Sequence, residues 1–300
     1  MGEVRVGTCS WTDPTLIEDE SFYPKKTMTA EKRLKFYAER FDVVEVDSTF
    51  YALPSEKVIS LQTSRTPDNF TLNYKAFGLL TQHSVNPKAF PKAVKMLVEP
   101  SLLEQRYLPF RLATKDVLDL SFQMFSSALR PAQWSNELGA VLFQFPPTFS
   151  FSKENMDYML TCKEKLFDYR LAIEFRHPSW LSEENKGQTM NFLKNNNLAY
   201  VSVDEPQYES GATIPPIAEA TADIGYVRFH GRNTGTWFRK GTSTAERFSY
   251  LYSEDELIEW AKKMRQIIYE ADRTYVMFNN CYRNYGITNA QMMKKILSSI

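Results

Sequence analysis

Apolar runs of about seven residues recur along the chain. There are eight of them: Val4–Trp11, Val43–Ser48, Phe70–Phe77, Gly139–Phe145, Arg170–Arg176, Leu198–Asp204, Ile224–His230 and Thr274–Asn280. Each is rich in Val, Ile, Phe and Tyr and is bounded by Pro, Gly or polar clusters, the signature of a buried strand. Polar residues recur at alternate positions toward the run ends: Glu45/Asp47, Asn73/Lys75, Gln144, Glu174/Arg176, Ser202/Asp204, Arg228/His230 and Asn279. Period two places each such set on one face of its strand. Eight strands with inner-face polar groups at their C-terminal ends describe the mouth of a parallel barrel. Unpaired buried charge is costly, so the pattern predicts a polar pocket there.

Helical spacing fills the intervals. Leu34, Tyr37, Ala38 and Phe41 follow an amphipathic period. Ser55 reads as an N-cap before Glu56–Gln62, and Ser182 as one before Glu183–Asn195. Ser253-Glu254-Asp255-Glu256 is a capping box, and Thr288 opens a last helix. Strand and helix are expected to alternate throughout. The predicted fold is therefore α/β, a TIM (β/α)8 barrel forming a single domain over residues 1–300. Gly78–Leu138 is too long for one crossover helix and is expected to be a helical insertion between strands 3 and 4. Helices are predicted near Phe90–Leu97 and Thr114–Ser127, around an exposed middle, Glu104–Arg111. The loop Gly231–Tyr252 is rich in Gly, Thr, Arg and Trp; in barrels the loop after strand 7 often meets phosphate.

Composition narrows the function classes. Lys plus Arg equals Asp plus Glu at 36 each, which argues against a coat of positive charge for sequence-blind DNA binding. Cys9, Cys162 and Cys281 are an odd number without close spacing, which fits a reducing compartment rather than a disulfide framework. No apolar stretch approaches the roughly 18 residues of a membrane span. A cytoplasmic protein with no membrane partner is expected.

Several strings occur in order: Gly7-Thr8-Cys9-Ser10-Trp11, Phe41 to Tyr51, Leu142 to Pro147, Glu174 to Trp180, Arg228 to Arg232, Leu251-Tyr252-Ser253 and Phe278-Asn279-Asn280. Their order and spacing resemble the YecE-like family, a domain of unknown function that folds as a TIM barrel. The resemblance covers nearly the whole chain. It implies the barrel and a shared pocket lined by these motifs, and it implies no reaction. Asp47 departs from the family pattern, where Asn is more usual, and the segment after strand 3 is longer. Analogy of this barrel to endonuclease IV and to sugar isomerases points toward nucleic-acid, phosphate or sugar chemistry. Three histidines, His83, His177 and His230, are too few for a multi-zinc site of the endonuclease IV kind.

Glu45, Glu174 and His230 are the candidate catalytic residues. Two carboxylates and a histidine suit water activation and proton transfer in phosphodiester hydrolysis. Glu45, Glu174 and Asp204 are also candidate ligands for one divalent cofactor, Mg²⁺ or Mn²⁺. Ligand-binding candidates are Lys75, Gln144, Arg176, Asp204, Arg228, Arg232, Trp237, Asn279 and Asn280. Guanidinium forks match phosphate, Trp237 and Phe238 offer stacking surfaces, and the amides orient polar groups. Trp11, Phe50, Tyr51 and Trp180 also follow strand ends. Each reading has a plainer counterpart: the arginines neutralise the carboxylates, and the aromatics pack loops onto the barrel. The expected ligand is a phosphate-bearing small molecule or nucleic acid, with a phosphodiesterase as the leading activity. The alternatives are a non-catalytic binder of the same ligands and a sugar isomerase or glycosidase using paired carboxylates.

Overall fold

In the computed structural model, which describes residues 2–299, eight parallel strands follow one another around a closed barrel in sequence order. They are β1 (Glu3–Cys9), β2 (Val43–Val46), β3 (Thr71–Lys75), β4 (Leu138–Gln144), β5 (Leu171–Glu174), β6 (Ala199–Asp204), β7 (Ile224–Phe229) and β8 (Arg273–Phe278). Every apolar run thus contains a strand; Glu45, Lys75, Gln144, Glu174, Asp204 and Arg228 lie within the strands, and Asp47, Arg176, His230 and Asn279 lie just beyond them. The longer helices are α1 (Ala30–Ala38), α2 (Glu56–Thr63), α3 (Lys115–Trp134), α4 (Lys153–Lys165), α5 (Lys186–Asn195), α6 (Glu254–Glu270) and α7 (Tyr285–Ser298).

The caps show why the helices begin where they do. Ser55 accepts from the Val58 amide at the start of α2, as its position predicts. Ser253 and Glu256 form the reciprocal capping box of α6. Two predicted starts are displaced. α5 begins at Lys186, because the Ser182 hydroxyl bonds the Ser179 carbonyl instead of capping. α7 begins at Tyr285, a turn ahead of Thr288.

Alternation also fails once: residues 205–223 join β6 to β7 without a helix. Polar side chains replace helical bonds in part of that crossover. The Ile214 amide donates to Glu205 Oε1 at 2.8 Å, and Thr213 Oγ1 donates to the Pro206 carbonyl at 2.7 Å.

The described contacts group into two compact units, residues up to Glu45 with those from Pro178 onward, and Val46–His177. In the first, register fixes which residues share a face. Arg228 lies opposite Met277, Tyr226 opposite both Tyr275 and Val201, and Cys9 opposite Glu45. A Cβ on Gly225 would lie 2.3 Å from Ile267 of α6, and Phe229 meets Trp260 of α6 at 5.4 Å. Those residues face the helices, so Tyr226 and Arg228 face the barrel interior.

In the second unit, Lys75, Leu142 and Ala172 share one face, and Gln144 lies opposite Glu174 two residues further along it. The β3–β4 register shifts between Leu72 and Tyr74, and Asn73 Oδ1 accepts the Ala140 amide at 2.9 Å there. The insertion holds one long helix, α3, capped by Thr114, and a single turn, Lys92–Lys95, where a longer helix is expected. Its middle is not wholly exposed: Leu108 is fully buried and pairs with Val85 in an antiparallel bridge.

Candidate functional site

Strand β7 presents Tyr226, Arg228 and then His230 along one face. Arg228 and Glu45 are completely buried and form an ion pair through Arg228 Nη2. Tyr226 Oη donates to the other carboxylate oxygen of Glu45 at 2.6 Å, and Arg228 Nη2 also lies 3.4 Å from Cys9 Sγ. A charge this deep stays buried only when paired and hydrogen-bonded, and here both conditions hold. Burial, with the Glu45 charge next, pushes the Tyr226 hydroxyl well above its ordinary value, so Tyr226 is the proton donor.

His230 is also completely buried. Asn279 Nδ2 lies 2.9 Å from its Nδ1. An amide nitrogen donates, so Nδ1 is the acceptor in this contact. Phe248 and Trp237 flank the ring, at 5.8 and 6.4 Å between centroids. The chain then turns at Gly231, with φ +89°, where a Cβ would lie 2.7 Å from Tyr250 Cβ. Only glycine meets both constraints.

Asp204 and Arg232 depart from their expected inner-face positions, and Asn280, a ligand-binding candidate, is engaged by the protein itself. Asp204 lies opposite Phe229, which faces the helices, so its side chain leaves the barrel interior. Arg232 Nε bonds both Asp204 oxygens, at 3.1 and 2.9 Å, and its Nη1 bonds Glu256 of α6 at 3.1 Å. Tyr250 Oη donates to the same Glu256 oxygen at 2.7 Å. Burial alone would raise the Glu256 carboxyl; Tyr250, the Ser253 amide and Arg232 together hold it below its ordinary value. Asn280 Nδ2 bonds the Tyr250 carbonyl and Asn289 Oδ1 of α7, both at 2.9 Å. These three residues fasten strand ends to the helices.

Of the aromatic candidates in this unit, Trp180 and Trp237 are buried, whereas Phe238 is 59% exposed beside Tyr208.

In the unit Val46–His177, the turn Ser48–Tyr51 follows β2 directly. Thr49 Oγ1 lies 3.0 Å from the Val46 carbonyl and 2.6 Å from that of Lys75, which fixes the turn to the end of β3. Lys75 Nζ sits 4.6 Å from the centre of the Phe50 ring, a cation–π contact. Its side chain is only 13% exposed, and Asp47 Oδ1 is 3.9 Å away, beyond hydrogen-bond reach. Among the described residues Lys75 Nζ makes no hydrogen bond.

His83 meets the Phe50 ring edge-on at 4.9 Å, and its Nδ1 pairs with Thr81 Oγ1 at 2.9 Å. Burial first, then Lys75, with Arg176 as a weaker contributor, lowers its pKa to about 4. Arg176 Nε pairs with the buried Glu174 carboxylate at 2.7 Å.

The three carboxylates expected to hold a divalent metal therefore each carry an arginine: Glu45 with Arg228, Glu174 with Arg176 and Asp204 with Arg232. With guanidinium groups on these oxygens, and Asp204 turned toward the helices, the trio does not fit one Mg²⁺ or Mn²⁺. Sequence reasoning missed Tyr226 and Glu256 as site partners. Tyr226 was legible, being two positions before Arg228 in the same phase. Glu256 was read only as a cap.

A parallel (β/α)8 barrel with charged strand ends is the class that fold and site define. The profile of the family described as "Protein of unknown function DUF72" matches residues 5–299, and the chain belongs to that family. It is 31% identical over 298 residues to the UPF0759 protein YunF of Bacillus subtilis, covering 98% of this chain and 94% of that protein. Among solved structures, a DUF72 family protein of Thermotoga maritima is 30% identical, with a TM-score of 0.76 and 99% of each chain covered. One from Enterococcus faecalis is 25% identical, with a TM-score of 0.79, covering 98% of this chain and 95% of its own. No described helix is long and apolar enough to cross a membrane.

Proposed function

We propose that the protein binds a phosphate-bearing ligand with Lys75 as its anchor. The observation that carries this reading is Lys75, whose side chain is 13% exposed and whose Nζ makes no hydrogen bond among the described residues. An ammonium has three donors, and withdrawing it from water without filling them is unfavourable. A phosphate oxygen would fill them. The downward shift of His83 comes first from burial, and the further contribution of the Lys75 charge agrees with the same reading.

Binding without hydrolysis suits the geometry better than a phosphodiesterase. The carboxylates that would activate water are already engaged with protein partners. Glu45 receives Arg228 and Tyr226, and Glu174 receives Arg176.

The test is calorimetric titration of the whole protein with pyrophosphate and with ribose 5-phosphate at low salt. The wild type should bind, and Lys75→Gln should bind about tenfold more weakly. Absence of binding to either probe would sink the reading. A phosphodiesterase assay with Mg²⁺ and with Mn²⁺ should stay silent; turnover lost in Glu45→Gln or Glu174→Gln would restore the hydrolase.

A further inference from the structure

Tyr51 is 68% exposed, a large aromatic surface left in water directly after a strand end. It is not loosely held. It ends the turn Ser48–Tyr51, whose Thr49 is buried and bonded to two carbonyls. Its ring packs edge-on against Phe50, with 5.3 Å between centroids and an interplanar angle of 89°. Phe50 is in turn fixed by His83, at 4.9 Å, and by Lys75 Nζ, at 4.6 Å. An exposed aromatic ring and the Lys75 ammonium are thus two neighbours of one phenyl ring.

From this juxtaposition we infer that Tyr51 is a stacking platform for a nucleobase whose phosphate is held by Lys75. The inference rests on the phosphate reading above and adds the ligand class. Stacking on an aromatic face is available to every base, because each has a π-face. In a nucleotide one ribose joins base and phosphate, and here the exposed ring and the ammonium both contact Phe50. A phosphorylated sugar without a base would engage Lys75 alone. Tyr51 contributes no buried core, so its replacement leaves the fold intact. The shared chemistry, a base one ribose from a phosphate, belongs equally to a free nucleotide and to a single strand.

The experiment compares AMP, ribose 5-phosphate and a short oligodeoxyadenylate by titration into wild type, Tyr51→Phe and Tyr51→Ala. AMP should bind about tenfold more tightly than ribose 5-phosphate. Tyr51→Phe should keep that advantage and Tyr51→Ala should lose it, while ribose 5-phosphate binding is unchanged in all three. Binding of the oligonucleotide alone, weakened in Tyr51→Ala, would also support the platform and assign it to a strand. Equal affinity for AMP and ribose 5-phosphate, indifferent to Tyr51, would overturn the platform and leave the phosphate anchor standing. No binding by any of the three would overturn both.

Discussion

Arg228 and Glu45 are each fully buried, and each is the other's charge partner. Neither is a spare group aimed into a pocket. Removing one would leave the other charged in a low-dielectric interior, the situation that makes broken buried pairs costly. Glu45→Gln should therefore lower unfolding stability by about 3 kcal/mol. Because an apolar partner removes the stranded charge, Glu45→Gln with Arg228→Met should recover part of that loss. Urea denaturation of the wild type and the two variants measures both effects. A single variant as stable as wild type would mean that the pair is not a stabilising constraint.

Glu256 shares the capping box with Ser253 and has a second duty of its own. Its Oε2 accepts the Ser253 amide at 2.9 Å, and its Oε1 accepts Arg232 and Tyr250. Ser253→Ala removes one cap, at about 1 kcal/mol. Glu256→Ala removes the other half of the cap and also leaves Arg232 with Asp204 alone. It should cost about twice as much. Thermal unfolding of the two variants should rank them in that order, and equal melting temperatures would show that the Arg232 contact contributes nothing.

The fold was legible because burial on both faces gives a parallel strand an apolar signature that short loops cannot imitate. All eight apolar runs contain strands. The helix between β6 and β7 was assumed from the repeating pattern; residues 205–223 carry Pro206, Gly211, Pro215 and Pro216, which break helices. The site was half legible. Period two places Glu45 and Arg228 on the face turned away from the helices, yet Asp204 follows its register partner Phe229 to the helix side. Where a short run of polar residues ends a strand, sequence alone does not say which alternate set faces inward. Nor does it reveal pairing: each arginine that looked like a phosphate fork already holds a carboxylate.

Glu137 is a buried carboxyl between α3 and β4, hydrogen-bonded by Thr66 Oγ1 at 3.2 Å. Burial raises its pKa to about 7. The folded state therefore holds this proton more tightly than the unfolded chain does. Its contribution is present below pH 4.5 and is lost as pH rises through about 7. Glu137→Gln keeps a hydrogen-bonding side chain without the charge. It should be more stable than wild type at pH 8 by about 3 kcal/mol and equal to it at pH 4. Denaturant midpoints at the two pH values check this, and a variant destabilised equally at both would refute it.

His83 predicts the opposite slope. Burial and the nearby Lys75 hold its pKa near 4, against 6.5 for the free side chain. Between these values the unfolded chain binds a proton that the folded protein refuses. Folding stability from this residue is thus complete above pH 6.5 and is lost as pH falls toward 4. His83→Gln removes the titration, so its stability should decline less steeply than that of wild type across that window. If a phosphate ligand is bound at Lys75, its negative charge favours the imidazolium and should raise the His83 pKa. Proton NMR of the His83 ring with and without pyrophosphate reads that shift directly. A pKa that stays near 4 when pyrophosphate is bound would place the anion away from Lys75 and His83.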